Sequence, residues 1–560
     1  MFMPGRKKAK PRIKAPQKLS KKTSRTISKK PKPEISSNQQ QGGHQKVAVV
    51  LALIGLTLGS IGFFGIASLS LLRDTSDSAT TQSASTASNS SSQMVVADFK
   101  TKIGFPAPLD GYPVATGAVF DIDGDGSLEI VQGTSAGCVY VFSVDGTQYG
   151  SSPAAIAPVL QGASDHCQKA SPSDPWPVQL ADKETIVGSQ PKPAQLDADA
   201  ELEFVIGTWR TDPTNATEAK LFALDTDGTL LWKTPIACGE YCSSPTVADV
   251  NADGKDELFF STENLTSDSI QLMGISADGV TLPGWPKTLT GQYAVVSVDD
   301  MTGSGTFDVF ATTGSQIFGF DIAGHALLGW PKDGGAMTLG NVQGDSQKEI
   351  ITIVRGDAVE DGSRFAYVLR VYDMNGNLLA SPKWDHDTLL APADVNYLPL
   401  LANLDSVGPY EIIVADSKAN LLYAFHGDGS VLYGWPQQVF TSPWSTIGDL
   451  NGDGRIEVIA SASAENVTRY TAFTRDGELV PGFPFEVQSS IFQPLNADID
   501  NDGIVEMVFP KLLQQGGGTY ASTLTAVQIP LKSTKFVDAQ EVSGWRMWGR
   551  DTSNSFRYSE

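Results

Sequence analysis

DIDGDGSLEI, residues 121–130, sets three aspartates at alternate positions ahead of a glycine and closes on a glutamate that opens an apolar run. The same grammar returns at DVNADGKDEL (249–258), DLNGDGRIEV (449–458) and DIDNDGIVEM (498–507). Left bare, carboxylates this close repel one another by about 1 kcal/mol or more per pair, depending on screening. Aspartate is also a poor strand former. A pattern this unfavourable, repeated, calls for something that compensates it.

Aligned on the closing acid, eight copies appear: 121–129, 195–203, 249–257, 300–308, 341–349, 403–411, 449–457 and 498–506. Each follows a short apolar run and precedes a strand-like one, such as EIVQGT, EFVIGT, ELFFST or EIIVAD. A second β run ending in a turn comes next, as in VYVFSVDGT and LLYAFHGDGS. An aromatic–proline signal closes the unit: GWP at 284–286, 329–331 and 434–436, and GFP at 482–484. Helix-length amphipathic patterns are scarce. Short strands, glycine-rich turns and a period near 50 predict an all-β propeller of four-stranded blades, eight of them, or seven if a degenerate copy is an extra turn. A solenoid is the alternative, but a closed ring leaves no long exposed edge.

The array resembles the FG-GAP/VCBS β-propeller repeats, related to the propeller of integrin α subunits. The D-x-[DN]-x-D-G-x-x-[DE] loop followed by a β run carries the resemblance, over roughly residues 95–530.

Oxygen-rich alternation in a tight turn suits a hard cation, and Ca²⁺ accepts six to eight oxygens where Mg²⁺ demands a stricter octahedron. Positions one, three and five point into the turn, glycine at six permits a left-handed bend, and the acid at nine completes the shell. The expected Ca²⁺ ligands are Asp121, Asp123, Asp125 and Glu129; Asp249, Asn251, Asp253 and Glu257; Asp449, Asn451, Asp453 and Glu457; and Asp498, Asp500, Asp502 and Glu506. Copy two keeps Asp197, Asp199 and Glu203 but has Gln195 first and Ala200 in place of glycine. Copies four, five and six are degenerate, with Thr302 and Ser304, Ser346, and Val407 at key positions. An EF-hand opens similarly but needs flanking helices, which the β runs exclude. The expected role of the metal is to rivet turns between strands, so that binding adds to folding stability.

The 560 residues carry a net charge of −22, but fourteen of the 41 Lys and Arg fall in residues 1–46 beside one acid, Glu34. This basic tail reads as a solvated cytoplasmic topology signal, and no nucleic-acid partner is expected. Residues 47–72 hold no charge and as a helix would span about 39 Å, enough for a signal-anchor crossing the membrane once. Its Lys-rich flank stays inside, which puts the remainder outside the cytoplasm. Residues 73–94 are twelve of 22 Ser or Thr, a flexible tether, and residues 95–560 form the propeller domain with a closing segment. Trp545 and Trp548 are expected to dock on it, while the N-terminal VVADFKTKIGFPAPLDGYP offers a closing strand.

Four cysteines outside the membrane suit disulfides: Cys238 with Cys242, and Cys138 with Cys167, with zinc at His166 and Cys167 as the alternative. Trp285, Trp330, Trp435 and Phe483 recur at equivalent blade positions, which favours packing between blades over a carbohydrate-stacking surface. Arg355-Gly356-Asp357 reads as a charged loop. No metalloprotease or phosphate-loop motif is present. The expected function is recognition or adhesion at the cell surface, with a protein or glycan as ligand. The alternatives are an extracytoplasmic enzyme acting on polysaccharide and a structural envelope protein.

Overall fold

The computed structural model describes residues 99–531, apart from short internal segments of which 152–166 is the longest. The basic tail, the apolar segment 47–72, the tether and the C-terminal residues with Trp545 and Trp548 lie outside the described residues. Among the described residues no helix is long and apolar enough to cross a membrane.

Among the described residues thirty-five strands form eight antiparallel sheets of four or five strands. Blade four shows the plan. Its inner strand Val295–Asp299 pairs with Asp308–Thr312, which pairs with Gln316–Asp321, which pairs with Lys332–Asp333 at the outer edge. Second strands such as Glu129–Gly133 and Asp308–Thr312 are buried along their whole length. Continuous apolar runs fit because both faces meet neighbouring blades. Outer strands such as Lys287–Thr290 and Phe485–Gln488 bury only their third residue, and their sequences KTLT and FEVQ carry polar groups elsewhere.

The eight hydrophobic clusters fall one at each blade junction. Trp330, Phe310 and Leu339 fill the junction of blades four and five, and Tyr470, Phe509 and Met507 that of seven and eight. Leu128, Ile130, Leu495 and Val508 join blade one to blade eight. The ring is therefore closed, and the count is eight rather than seven.

Closure comes from the N-terminal segment. Lys100–Thr101 and Ala107–Leu109 both pair with Thr519–Gln528 of blade eight. Gly104-Phe105-Pro106 is that blade's own copy of the aromatic–proline signal. Phe99 stacks on Phe485 at 4.1 Å and meets Phe483 edge-on at 5.5 Å.

The aromatic–proline residues pack between blades, as their recurrence predicts. Trp285, Trp330, Trp435 and Phe483 are each 9% exposed or less. Their indole N–H groups donate to carbonyls of the next blade: Trp285 to Ile322 at 2.9 Å, Trp330 to Met374 at 2.9 Å and Trp435 to Arg475 at 2.7 Å. Trp176 and Trp232 do the same to Thr226 and Ala277. Arg355-Gly356-Asp357 belongs to the strand Glu349–Ala358 and not to a loop.

Cys138 is bonded to Cys167, which removes Cys167 from the zinc reading; Cys238 lies outside the described residues. The bridge spans 29 residues of sequence, a loop whose closure in the unfolded chain is worth about 3–4 kcal/mol in the chain-entropy account. Replacing both cysteines by alanine should lower stability by roughly that amount, read by denaturant unfolding. An unchanged midpoint would assign the bridge no stabilising role.

Candidate metal centre

The acidic repeats are the turns between first and second strands, and the acid at position nine is the first residue of each second strand. All eight of these acids are buried, none more than 8% exposed. In seven blades one carboxylate oxygen accepts the backbone N–H of position two, over 2.7–3.2 Å: Ile122 to Glu129, Leu196 to Glu203, Val250 to Glu257, Val342 to Glu349, Leu404 to Glu411, Leu450 to Glu457 and Ile499 to Glu506. Blade four carries the shorter Asp308 there. The latch spans the turn, and the degenerate copies five and six retain it.

Position one supports the turn from the other side. Asp121, Asp249, Asp300, Asp449 and Asp498 each accept the N–H of the glycine at position six, over 2.6–2.9 Å. Those glycines are left-handed, Gly126 at φ 89° and Gly454 at φ 82°, as the sequence predicts. Position four is left-handed as well, including Ala252 and Asn501, which the motif alone does not announce. Position five caps position seven, as in Asp125 to Ser127 at 2.7 Å and Asp453 to Arg455 at 2.9 Å.

Neighbouring turns are also tied to one another. Leu128 N–H donates to Ile499 across the closure, Asp256 to Gln195, Lys348 to Met301 and Tyr410 to Asn341, all within 3.0 Å.

Three turns bring carboxylates together with ligand atoms within 4.8 Å of one another: Asp121, Asp123 and Glu129; Asp197, Asp199 and Glu203; and Asp498, Asp500 and Glu506. Among the described residues these are the blades with Asp at position three; Asp405 of blade six lies outside them. In blade one, Asp123 also accepts the Tyr149 hydroxyl at 2.8 Å. In blade two, Glu203 Oε1 is buried without a hydrogen-bond partner, an orphaned acceptor in a set of hard oxygen donors that fits a cation. In blades three and seven the position is held differently. The amides of Asn251 and Asn451 donate to Glu257 and Glu457 at 2.8 and 3.2 Å, and their carbonyls accept the N–H of Asp253 and Asp453 at 2.8 Å. In blade six His426 Nδ1 lies 3.4 Å from Glu411. In blade eight Lys102 contacts both Asp500 and Glu506.

Burial pushes the Glu129 carboxyl up to about 8, and the charges of Asp123, Asp125 and Asp121 act in the same direction. Glu457 is pushed to about 8 by burial, and Glu257 and Glu349 to about 7. Burial works against the charge on Lys102, but its bonds to Asp500 and Glu506 outweigh it and hold the ammonium above its ordinary value.

Comparison with protein-family models finds no match, and comparison with curated proteins finds none. Among solved structures, the V. cholerae biofilm matrix protein Bap1 is similar at 12% identity, covering 80% of this chain and 92% of that one, with a TM-score of 0.35. The Dos1 propeller is similar at 10% identity, covering 78% and 97%, with a TM-score of 0.44. BBS1N in its complex with ARL6DN is similar at 10% identity, covering 76% and 96%, with a TM-score of 0.36. None of these likenesses bears on ligand or activity.

Two outcomes follow from the buried acids. Glutamates with raised folded values bind protons more tightly folded than unfolded. Their contribution is full below the unfolded value of about 4.3 and is lost as pH rises through about 7 to 8. In chelator, Tm should therefore fall between about pH 5 and about pH 8, and a rise over that window by calorimetry would contradict the burial account. Separately, Glu411→Ala orphans the Leu404 amide and should destabilise by about 1–3 kcal/mol, equally with and without divalent ions. A loss seen only in calcium would show that blade six holds metal after all.

Proposed function

We propose that the chain displays a calcium-stabilised propeller outside the cytoplasm from a single membrane anchor, where it recognises a protein or glycan. The FG-GAP/VCBS-like loop grammar supports the calcium part, together with the carboxylates gathered in blades one and two. The Cys138–Cys167 bridge suits an oxidising compartment. The basic residues ahead of the uncharged segment 47–72 support the orientation.

The observation that carries recognition is a recurrent exposed apolar fringe. Ile103, Leu328 and Tyr433 are 91%, 96% and 83% exposed, and each immediately precedes the glycine of an aromatic–proline signal. Val280, Leu378, Val431 and Leu479 add further exposed side chains on the same third-to-fourth-strand turns. In an antiparallel blade these turns share a face with the acidic turns, a placement that the Tyr149–Asp123 contact reflects. Large apolar side chains recurring at one register on one face are a mark of interaction surfaces.

Two measurements test this reading. Millimolar Ca²⁺ should raise Tm over chelator, each occupied site adding about 2.7 kcal/mol at a hundredfold excess over Kd, and Asp121→Asn should reduce the rise. Vesicles carrying the full chain should be captured by a panel of extracellular polysaccharides, or by vesicles carrying the same chain, in a calcium-dependent way. Leu328→Ser with Tyr433→Ser should abolish the capture. Capture by neither, or capture indifferent to the double variant, would sink recognition through this face, and turnover of a polysaccharide would favour the enzyme.

A further inference from the structure

The third-to-fourth-strand connection has a repeating backbone signature. A residue donates its N–H to the third strand, and three residues later an aromatic N–H donates back to its carbonyl. Leu282, Leu327, Leu432 and Val480 occupy this position in blades three, four, six and seven, bonded to Gly274, Gly319, Ala424 and Ala472. Trp285, Trp330, Trp435 and Phe483 make the return bonds. Tyr149 and Leu379 make the first bond in blades one and five. In blade eight the residue is Lys102, bonded to Ala526 and receiving the N–H of Phe105. A lysine thus stands where five other blades carry leucine or valine, and it is only 7% exposed.

Its ammonium reaches Asp500 and, at 3.1 Å, Glu506 Oε1. The Glu506 side chain is fully buried. In blades three and seven the same glutamate oxygen is served by the amide of the position-three asparagine. Blade eight has Asp500 at position three, which cannot donate when ionised, so donors come from elsewhere: the Lys102 ammonium and, at 3.3 Å, the Gln528 amide. In four blades the choices at the two positions match: Asn251 and Asn451 accompany the apolar Leu282 and Val480, whereas Asp123 and Asp500 accompany the donors Tyr149 and Lys102. Blade six, with Asp405 and Leu432, does not follow this pairing.

We infer that Lys102 is the resident cation of the blade-eight turn, so that Asp498, Asp500, Asp502 and Glu506 form a closure latch and not a calcium site. A divalent ion on these oxygens would share them with a fixed ammonium and be repelled by it. The lysine belongs to the N-terminal segment, and its two partners lie 398 and 404 residues along the chain. The ion pair therefore ties the two ends of the ring through the acidic turn, and closure needs no metal. Blade one, whose neutral Tyr149 supplies a hydrogen bond without a charge, keeps its turn open to a cation. This inference rests on the calcium reading only in that comparison.

The test is calcium stoichiometry by equilibrium dialysis of the full-length chain in detergent, with thermal unfolding in chelator. Asp500→Ala, which removes the position-three oxygens altogether, should leave the number of bound calcium ions unchanged, while Asp121→Ala should remove one. Lys102→Met, which restores the apolar character of the other blades, should add one calcium ion and lower Tm in chelator, and Lys102→Met with Asp500→Ala should lose the added ion. Loss of one ion from Asp500→Ala alone would overturn the inference, as would a folded Lys102→Met that gains none. If Lys102→Met does not fold, Asp500→Ala decides by itself. A wild-type count of zero would sink the calcium reading of the other blades while leaving the gain in Lys102→Met as the test of this one.

Discussion

One buried carboxylate per blade, at the first residue of the second strand, is the constraint around which the rest is arranged. Taking a carboxylate out of water is costly unless its oxygens find partners. One oxygen accepts a backbone amide from the turn it terminates, in seven of the eight blades. That bond fixes where the turn begins and ends, and with it the register of the first strand against the second. Because each turn is tied in places to the next, as Leu128 is to Ile499 and Asp256 to Gln195, the latches extend into links between blades. The indole bonds from one blade to the next fasten the outer part of the same ring.

The second oxygen of each carboxylate is where the blades diverge. An asparagine amide serves it in blades three and seven, a lysine in blade eight, and a histidine lies near it in blade six. In blade two Glu203 Oε1 has no hydrogen-bond partner among the described residues. The acidic motif is thus one backbone device with interchangeable ways of balancing charge. A repeat that has lost its extra aspartates loses the capacity to gather oxygens around a cation but keeps the turn. Copy five shows this: Asn341 and Gln343 replace aspartates, yet Glu349 still accepts the Val342 N–H at 2.8 Å.

What the sequence disclosed was whatever is written locally and repeated. The blade count, the position of each acidic turn and the interblade role of Trp285, Trp330 and Trp435 all follow from motifs a few residues long that recur. The pairing of Cys138 with Cys167 followed because few partners were available. Lys102 was invisible for the opposite reason. It looks like an ordinary charge in KTKIGFP until the ring closes and brings Asp500 and Glu506 to it. The blade-two cluster was legible in its retained carboxylates: Gln195 and Ala200 break the motif, yet Asp197, Asp199 and Glu203 still converge. Left-handed backbone at Ala252 escaped because the residue there is not glycine. The Arg355-Gly356-Asp357 triplet resembled a turn by composition, but the strand of blade five runs through it as far as Ala358.

The closing point of the ring explains why a lysine is tolerated there. In blade four the chain leaves the third strand through a tight turn at Ala323 and Gly324 and runs on within ten residues to the fourth, so register is held by the chain itself. In blade eight that connection is cut. Thr519–Gln528 ends where Lys100–Thr101 begins to pair with it, and the two come from opposite ends of the described chain. Non-covalent contacts must supply the register that such a turn supplies in blade four. Gly104-Phe105-Pro106 reproduces the aromatic anchor, and Phe99 on Phe485 adds a second apolar contact. Apolar contacts alone tolerate a slip along the strand, whereas a buried ammonium has one place among fixed carboxylates where its charge is matched. An acidic turn is thereby used to specify where the first described strand meets the last.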